Sequence, residues 1–282
     1  MDGLIITVNY KTSETTIRFL ESITKLNDFS KVELFIVDNG SEKSIVEKIG
    51  NHLKKINKPN IQFITLPENI GYFGAVNYAI KNHIKEIEKY KYCVVCNNDI
   101  IIKDNDFLKK ASCYSEKNDL IAPRIISLVS GKDQNPHREH LVSFVQKIQY
   151  RLLFSNYYIG LILYLLRNVL YRKISSLIRK GKINLSERNI FAMHGSFMIF
   201  TDKYFLKGGY IDDGFFFYGE EDSVAAICKL INCKIRFVPD LIVYHDEHKT
   251  SIANGFKKRI YKHQKEAYRY IKRKYKKLIY EL

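Results

Sequence analysis

Four apolar runs separated by helix-spaced segments fill the first hundred residues, and this alternation limits the fold more than any other feature. Leu4 to Val8 is followed by a polar start at Thr12-Ser13-Glu14 and then by Ile17, Leu20 and Ile23 at helical spacing. Val32 to Val37 ends in Asp38-Asn39-Gly40-Ser41, a turn sequence whose glycine is free to take positive φ. A helix over Glu42 to Ile56, a strand over Ile61 to Leu66, a helix from Tyr72 to about Lys89 and a strand over Tyr92 to Cys96 follow. Such alternation predicts a parallel sheet with right-handed crossovers. Ligands bind beyond the carboxyl ends of the strands in sheets of this kind. Those ends carry Asn9-Tyr10, Asp38-Asn39-Gly40, Pro67-Glu68-Asn69 and Asn97-Asn98-Asp99, one polar edge suited to a binding crevice.

Several nucleotide-binding classes lack their signature here. No Gly-x-Gly-x-x-Gly follows the first strand and no Gly-x-x-x-x-Gly-Lys-Ser/Thr occurs, which argues against a dinucleotide cofactor and a P-loop enzyme. A sugar-1-phosphate nucleotidyltransferase would want a glycine-rich basic loop after the first strand, and Val8-Asn9-Tyr10-Lys11-Thr12 is not one. After residue 130 the alternation stops. A second block resumes with extended Phe197 to Phe200, the acidic turn Gly219-Glu220-Glu221-Asp222, a helix through Leu230, strand-like Lys234 to Val238, and Tyr244-His245. The expected organisation is one α/β domain over 1–255, with 130–185 a basic amphipathic helical insertion and 256–282 a basic aromatic C-terminal helix.

Charge sharpens this division. Residues 138–182 hold nine Lys/Arg against Glu139 alone, and residues 256–282 hold eleven against Glu266 and Glu281. Their net charges, +8 and +9, together exceed the whole chain's +16, so the remaining body is close to neutral. A surplus confined to two segments reads as a contact surface for nucleic acid or acidic lipid. Nucleic acid leaves the polar strand ends unexplained, so it is not the expected partner. Leu152 to Leu166 is uncharged between Arg151 and Arg167, but its 15 residues fall short of the roughly 20 that span a bilayer. Tyr261, Tyr268, Ile271, Tyr275 and Leu278 recur at helical spacing in the tail. Both segments suit helices lying on an anionic membrane surface, the preferred reading, with helices packed on their own domain as the alternative. The Met1-Asp2-Gly3 start has no basic leader, so the expectation is a cytoplasmic protein, peripheral on the inner face of the cell membrane. The five cysteines read as reduced thiols; Cys93 and Cys96, three apart in an extended run, point to opposite faces and do not form half a metal site.

Four constellations carry chemistry. Asn97-Asn98-Asp99 offers a carboxylate and two amides at a strand end, which suits a hard ion such as Mg²⁺ or Mn²⁺ and equally suits a turn. Asp38 can accept from a base imide or ribose hydroxyl, or simply close its turn. Asn69-Ile70-Gly71-Tyr72-Phe73-Gly74 with Asn77 opens a helix with two glycines, letting backbone N–H groups approach an anionic ligand. Phe215-Phe216-Phe217-Tyr218 leads into Glu220-Glu221-Asp222; crowding and desolvation raise a carboxyl pKa and prepare a general base, while acids also suit a first helical turn.

Taken in order, Val8-Asn9-Tyr10, Val37 to Ser41, Asn69 to Asn77, Asn97-Asn98-Asp99, His194-Gly195-Ser196-Phe197, Phe217 to Asp222 and His245 resemble the motif series of bacterial family-2 glycosyltransferases, above all the rhamnosyltransferase-like enzymes of surface-polysaccharide synthesis. The resemblance covers about residues 3–248 without 130–185. It implies a GT-A fold, a Rossmann-like nucleotide-binding half with a mixed central sheet. It also implies inverting, metal-dependent transfer from a UDP- or dTDP-linked sugar to a lipid-linked glycan acceptor. By resemblance Val8, Asn9, Tyr10, Asp38, Asn69, Gly71, Asn97 and Asn98 serve the donor nucleotide, and His194, Gly195, Ser196 and Glu220 the donor sugar and acceptor. Asp99 and His245 would hold Mn²⁺ or Mg²⁺. The base would be Glu221, by position, or Asp222, by residue type.

Overall fold

The structure, a computed structural model, describes residues 1–175, 184–247 and 257–280. Four parallel strands, β1 (Gly3–Asn9), β2 (Val32–Asn39), β3 (Ile61–Leu66) and β4 (Tyr92–Asn97), alternate with helices α1 (Ser13–Ile23), α2 (Lys43–Ile56) and α3 (Tyr72–His83). α3 stops short of Lys89 because Ile84 turns extended and enters the core. A two-residue strand β5 (Ile100–Ile101) and helix α4 (Phe107–Ser115) lead into β6 (Leu120–Ser127), a central strand that the alternation does not anticipate. Pro123 breaks its pattern: the register shifts between Pro123 and Arg124, a bulge that tolerates a proline without a donor.

α5 (Phe144–Leu153), α6 (Tyr157–Ser175) and β7 (Arg188–Ile190) come next, so the 130–185 insertion is helical over only part of its length, and residues 176–183 lie outside the described residues. β8 (Phe197–Thr201), α7 (Asp202–Leu206), α8 (Glu220–Leu230), β9 (Ile235–His245) and α9 (Lys258–Tyr275) follow, and a π-helical turn over Lys276–Tyr280 continues α9. The sheet order is β3-β2-β1-β4-β8-β6-β9-β5, with β7 on β9. β8 runs antiparallel to both β4 and β6, so the sheet is mixed beyond β4. That reversal brings the residues before β8 to the same edge as the carboxyl ends of β1, β2 and β4. β9, parallel to β6, runs past Val238 and delivers His245 to that edge.

Strand alternation splits the core in two. Leu4, Ile6, Val8, Cys93 and Val95 face α3, α8 and α9, while Ile5, Tyr92, Val94 and Cys96 face α1 and α4. The two thiols of Cys93 and Cys96 thus enter opposite layers. α9 belongs to the first layer: Ala267, Ile271 and Tyr275 are buried in it, so the tail's apolar stripe meets protein rather than solvent.

Candidate active site

The strand ends enclose a cleft of about 410 Å³ lined by Val8, Tyr10, Thr12, Asn39, Asn69, Tyr72, Asn97, Asn98, Asp99, His194, Gly195, Ser196, Phe217, Tyr218, Glu220 and Glu221. Eleven of these are residues expected from the sequence, drawn from five separate segments of chain. Asn9 and Asp38 do not line it. Both are fully buried beneath, where Asn9 Nδ2 donates to Asp38 Oδ1 at 2.5 Å and Ser41 N donates to Asp38 Oδ2 at 2.9 Å. Asn9 Oδ1 accepts from Thr16 Oγ1 at 2.9 Å and from Asn98 Nδ2 at 3.2 Å, which ties the floor to the Asn97-Asn98-Asp99 turn.

Asn39, next to Asp38, reaches the cleft instead. It holds the loop before α3 by donating to Asn69 Oδ1 at 3.1 Å and Gly71 O at 3.0 Å, and by accepting from Ile70 N at 3.0 Å. Gly71 caps α3 with φ +86°, and a Cβ there would lie 2.5 Å from Phe216 O. Strand alternation carries the signal for Asn39: its side chain and that of Asp38 leave β2 on opposite faces. Thr12, Tyr72, Phe217 and Tyr218 are the other unexpected lining residues, and Tyr218 stands apart in its backbone. It lines the cleft at φ +71°, a sparsely populated backbone state held in place by its surroundings.

Asp99, on the cleft lining, meets His245, which lies outside the lining. His245 Nε2 lies 3.1 Å from Asp99 Oδ1, an otherwise unpartnered buried oxygen. Gln134 donates its amide N–H to Glu247 and so turns its Oε1 toward His245 Nδ1, 2.8 Å away. In the neutral imidazole Nδ1 then carries the hydrogen and the Nε2 lone pair faces the carboxylate oxygen. Two acceptors so placed fit a shared cation, and the oxygen–nitrogen pair suits a divalent ion that takes its remaining ligands from phosphate and water. No cluster of three or more His, Cys, Asp or Glu that could hold a metal ion occurs among the described residues, so the two side chains would give any such ion only part of its shell.

The acidic turn opens α8. Glu220 is buried, and burial, reinforced by the charge of Glu221, pushes its carboxyl up to about 8. For Glu221 burial acts in the same direction, but the positive charges that His137 and His194 can carry and the Gly195 N–H, 3.1 Å from Oε1, hold its carboxyl below the usual value. His194 is itself kept toward the neutral form by burial, so the backbone N–H is the steadier support. Ser196 N donates to His194 Nδ1 at 3.2 Å, which leaves the hydrogen on Nε2. Asp222 turns away and pairs with Arg138, outside the cleft lining. The edge thus gathers one base candidate in Glu221, a neighbouring carboxyl pushed up by burial in Glu220, and one pair whose geometry would suit a cation.

The glycosyl transferase family 2 model matches residues 4–205, well over half of the chain. The chain belongs to glycosyl transferase family 2. The matched residues hold the strand ends through Asp99 and His194 to Ser196; the acidic turn and His245 lie beyond them. A Dictyostelium discoideum dolichyl-phosphate beta-glucosyltransferase is 28% identical over 109 residues, 38% of this chain and 32% of that protein. Among solved structures, GalNAc-T7 with UDP, GalNAc and Mn²⁺ superposes with a TM-score of 0.58 at 14% identity, over 87% of this chain and 43% of the other. S. aureus TarS 1–349 gives 0.55 at 15% identity, over 87% and 60%. The mannosyltransferase PcManGT from Pyrobaculum calidifontis, in complex with GDP-Man and Mn²⁺, gives 0.53 at 14%, over 96% and 69%. These superpositions establish the GT-A fold. The chain spans about a third of the curated relative and about half of the first two structures.

Proposed function

We propose that this family member is an inverting glycosyltransferase that moves a sugar from a UDP- or dTDP-linked donor to a lipid-linked saccharide. It would act at the cytoplasmic face of a membrane in rhamnosyltransferase-like surface-glycan synthesis. The observation that carries the reading is the shared edge that Glu221 and the facing lone pairs of Asp99 and His245 occupy. The fold neighbours solved with Mn²⁺ and a nucleotide or nucleotide sugar support the same assignment.

In this mechanism the nucleoside lies against Tyr10, Asn69 and Asn97, and Asn9 and Asp38 support that wall from beneath. Gly195, Ser196 and Tyr218 border the transferred sugar. Mn²⁺ or Mg²⁺ held by Asp99 and His245 would offset the charge of the departing diphosphate. Glu221 takes the proton of the acceptor hydroxyl. The acceptor oxygen bonds to the anomeric carbon from the face opposite the diphosphate, and the old C–O bond breaks with its electron pair leaving on the diphosphate. Configuration inverts. Glu220, protonated at neutral pH, leaves Glu221 as the only free carboxylate in the turn that faces the cleft.

A thermal-shift panel of nucleotide sugars with and without Mn²⁺ tests this. The expected outcome is one nucleotide sugar that raises Tm only with the ion present, an effect lost in Asp99→Ala without a change in the unliganded Tm. A fully active Asp99→Ala enzyme would refute the metal assignment.

A further inference from the structure

The α5–α6 hairpin carries an apolar face that no described residue covers. Phe144, Val145, Ile148 and Leu152 follow one side of α5 and are 65%, 62%, 44% and 47% exposed. Tyr158, Ile162, Leu165 and Leu166 do the same on α6 at 70%, 57%, 53% and 54%. The turn of the hairpin and Tyr150, on the side of α5 away from that face and 6.3 Å from Tyr268, are fastened to α9. Phe154 stacks on Tyr268 with ring centroids 4.9 Å apart, Tyr157 meets Tyr261 at 5.4 Å, and Lys265 Nζ donates to Ser155 O at 2.8 Å. The apolar face is therefore held outward by a built inner side. A contiguous exposed apolar face of this kind marks an interaction surface.

Charge selects the occupant. Between Glu139 and Glu187 the chain has eight Lys/Arg and no acid, with Lys147 and Arg151 set among the exposed apolar residues of α5. The supporting helix α9 turns Lys258, Arg259, Lys262 and Arg269 to solvent. Apolar side chains bordered by cations match a bilayer with anionic headgroups, where the apolar face enters the acyl boundary and the cations meet phosphate. No described helix is long and apolar enough to cross a membrane, so this is contact from one side.

We infer that the outer face of α5–α6, flanked by the basic side of α9, docks on an anionic lipid bilayer. The face is also tied to the active site. His137, whose ring centre is 6.0 Å from that of His194 on the cleft wall, leads through residues 138–143 into α5. Docking here keeps the cleft beside the bilayer, within reach of a lipid-linked acceptor. That last step rests on the proposed function; the docking itself does not.

Sedimentation of the full chain with phosphatidylcholine vesicles, with and without phosphatidylglycerol, tests the proposal. The chain is expected to bind the anionic vesicles only. Lys147→Ala and Arg151→Ala should each weaken binding about fivefold. Phe144→Glu combined with Ile162→Glu should abolish it while Tm and Mn²⁺-dependent nucleotide-sugar binding stay unchanged. Absence of wild-type binding to anionic vesicles, or wild-type binding by the double variant, overturns the proposal. So does a concentration-dependent dimer that the double variant dissolves, since a second copy would then cover the face. Loss of nucleotide-sugar binding with vesicle binding intact would count against the transferase reading alone.

Discussion

Glu220, Glu221 and Asp222 are adjacent in the chain, yet they stand in three different electrostatic settings. Asp222 is paired with Arg138 and Glu221 is held by the Gly195 N–H, so only the latter is free to face an incoming hydroxyl. Glu221→Gln should lower kcat by about 10²- to 10⁴-fold, the usual range for a lost general base, with donor affinity little changed. Asp222→Asn should act chiefly on stability; single-turnover rates and urea midpoints for the two variants separate the roles. Glu220 makes a pH prediction. Its folded carboxyl titrates at about 8 against an ordinary 4.5, so the folded chain holds the proton more tightly than the unfolded chain between those values. Unfolding then releases a proton, and this contribution to stability is lost as pH rises through about 8. Glu220→Gln should flatten the fall in urea midpoint between pH 5 and 9 that wild type is expected to show. An unchanged slope would assign the titration elsewhere.

At the scale of elements, the site depends on how segments are held against one another. The start of α3 is set by Gly71, whose φ of +86° and ψ of 169° belong to a region only glycine occupies comfortably. Gly71 O accepts from Asn39 on β2, and Tyr72 N donates to Phe216 O at 3.3 Å. Gly71→Ala should therefore cost about 1–3 kcal/mol of stability by urea denaturation. It should also raise the KM for the donor, because the loop carrying Asn69 and the Phe216–Tyr218 segment must separate. α9 acts similarly on the far side of the acidic turn. Tyr270 Oη donates to Asp212 Oδ1 at 2.8 Å, Tyr275 Oη donates to Oδ2 at 2.5 Å, and Lys274 Nζ lies 3.1 Å from Oδ1. Three side chains of the tail thus anchor the loop that leads into Glu220 and Glu221.

For the molecule as a whole, the basic tail is part of the transferase core as well as a source of charge. Ile271 is 1% exposed among residues of α8 and the sheet, and Ile271→Ala should destabilise the chain by about 2–5 kcal/mol, as truncations in packed cores do. A chain cut before α9 should accordingly lose cooperative unfolding and nucleotide-sugar binding together; unaltered melting would show the tail to be an appendage. Much of this was legible beforehand. Apolar runs of strand length ending in Asn, Asp and Gly determine the parallel half-sheet and the edge on which chemistry collects, because periodicity and turn propensity are local properties. The ordered motifs carried the resemblance to family-2 glycosyltransferases, and the match over residues 4–205 bears out that family. The structure decided what depends on packing across the chain. Pro123 could join a central strand only because β9 offers a bulge opposite it, and Asp38 was drawn into the floor while Asn39 took its place on the cleft wall. The tail's apolar stripe faces the core and that of α5–α6 faces outward, although both read alike as amphipathic helices. A helical period specifies that one face is apolar; which surface covers that face is set by the tertiary neighbours.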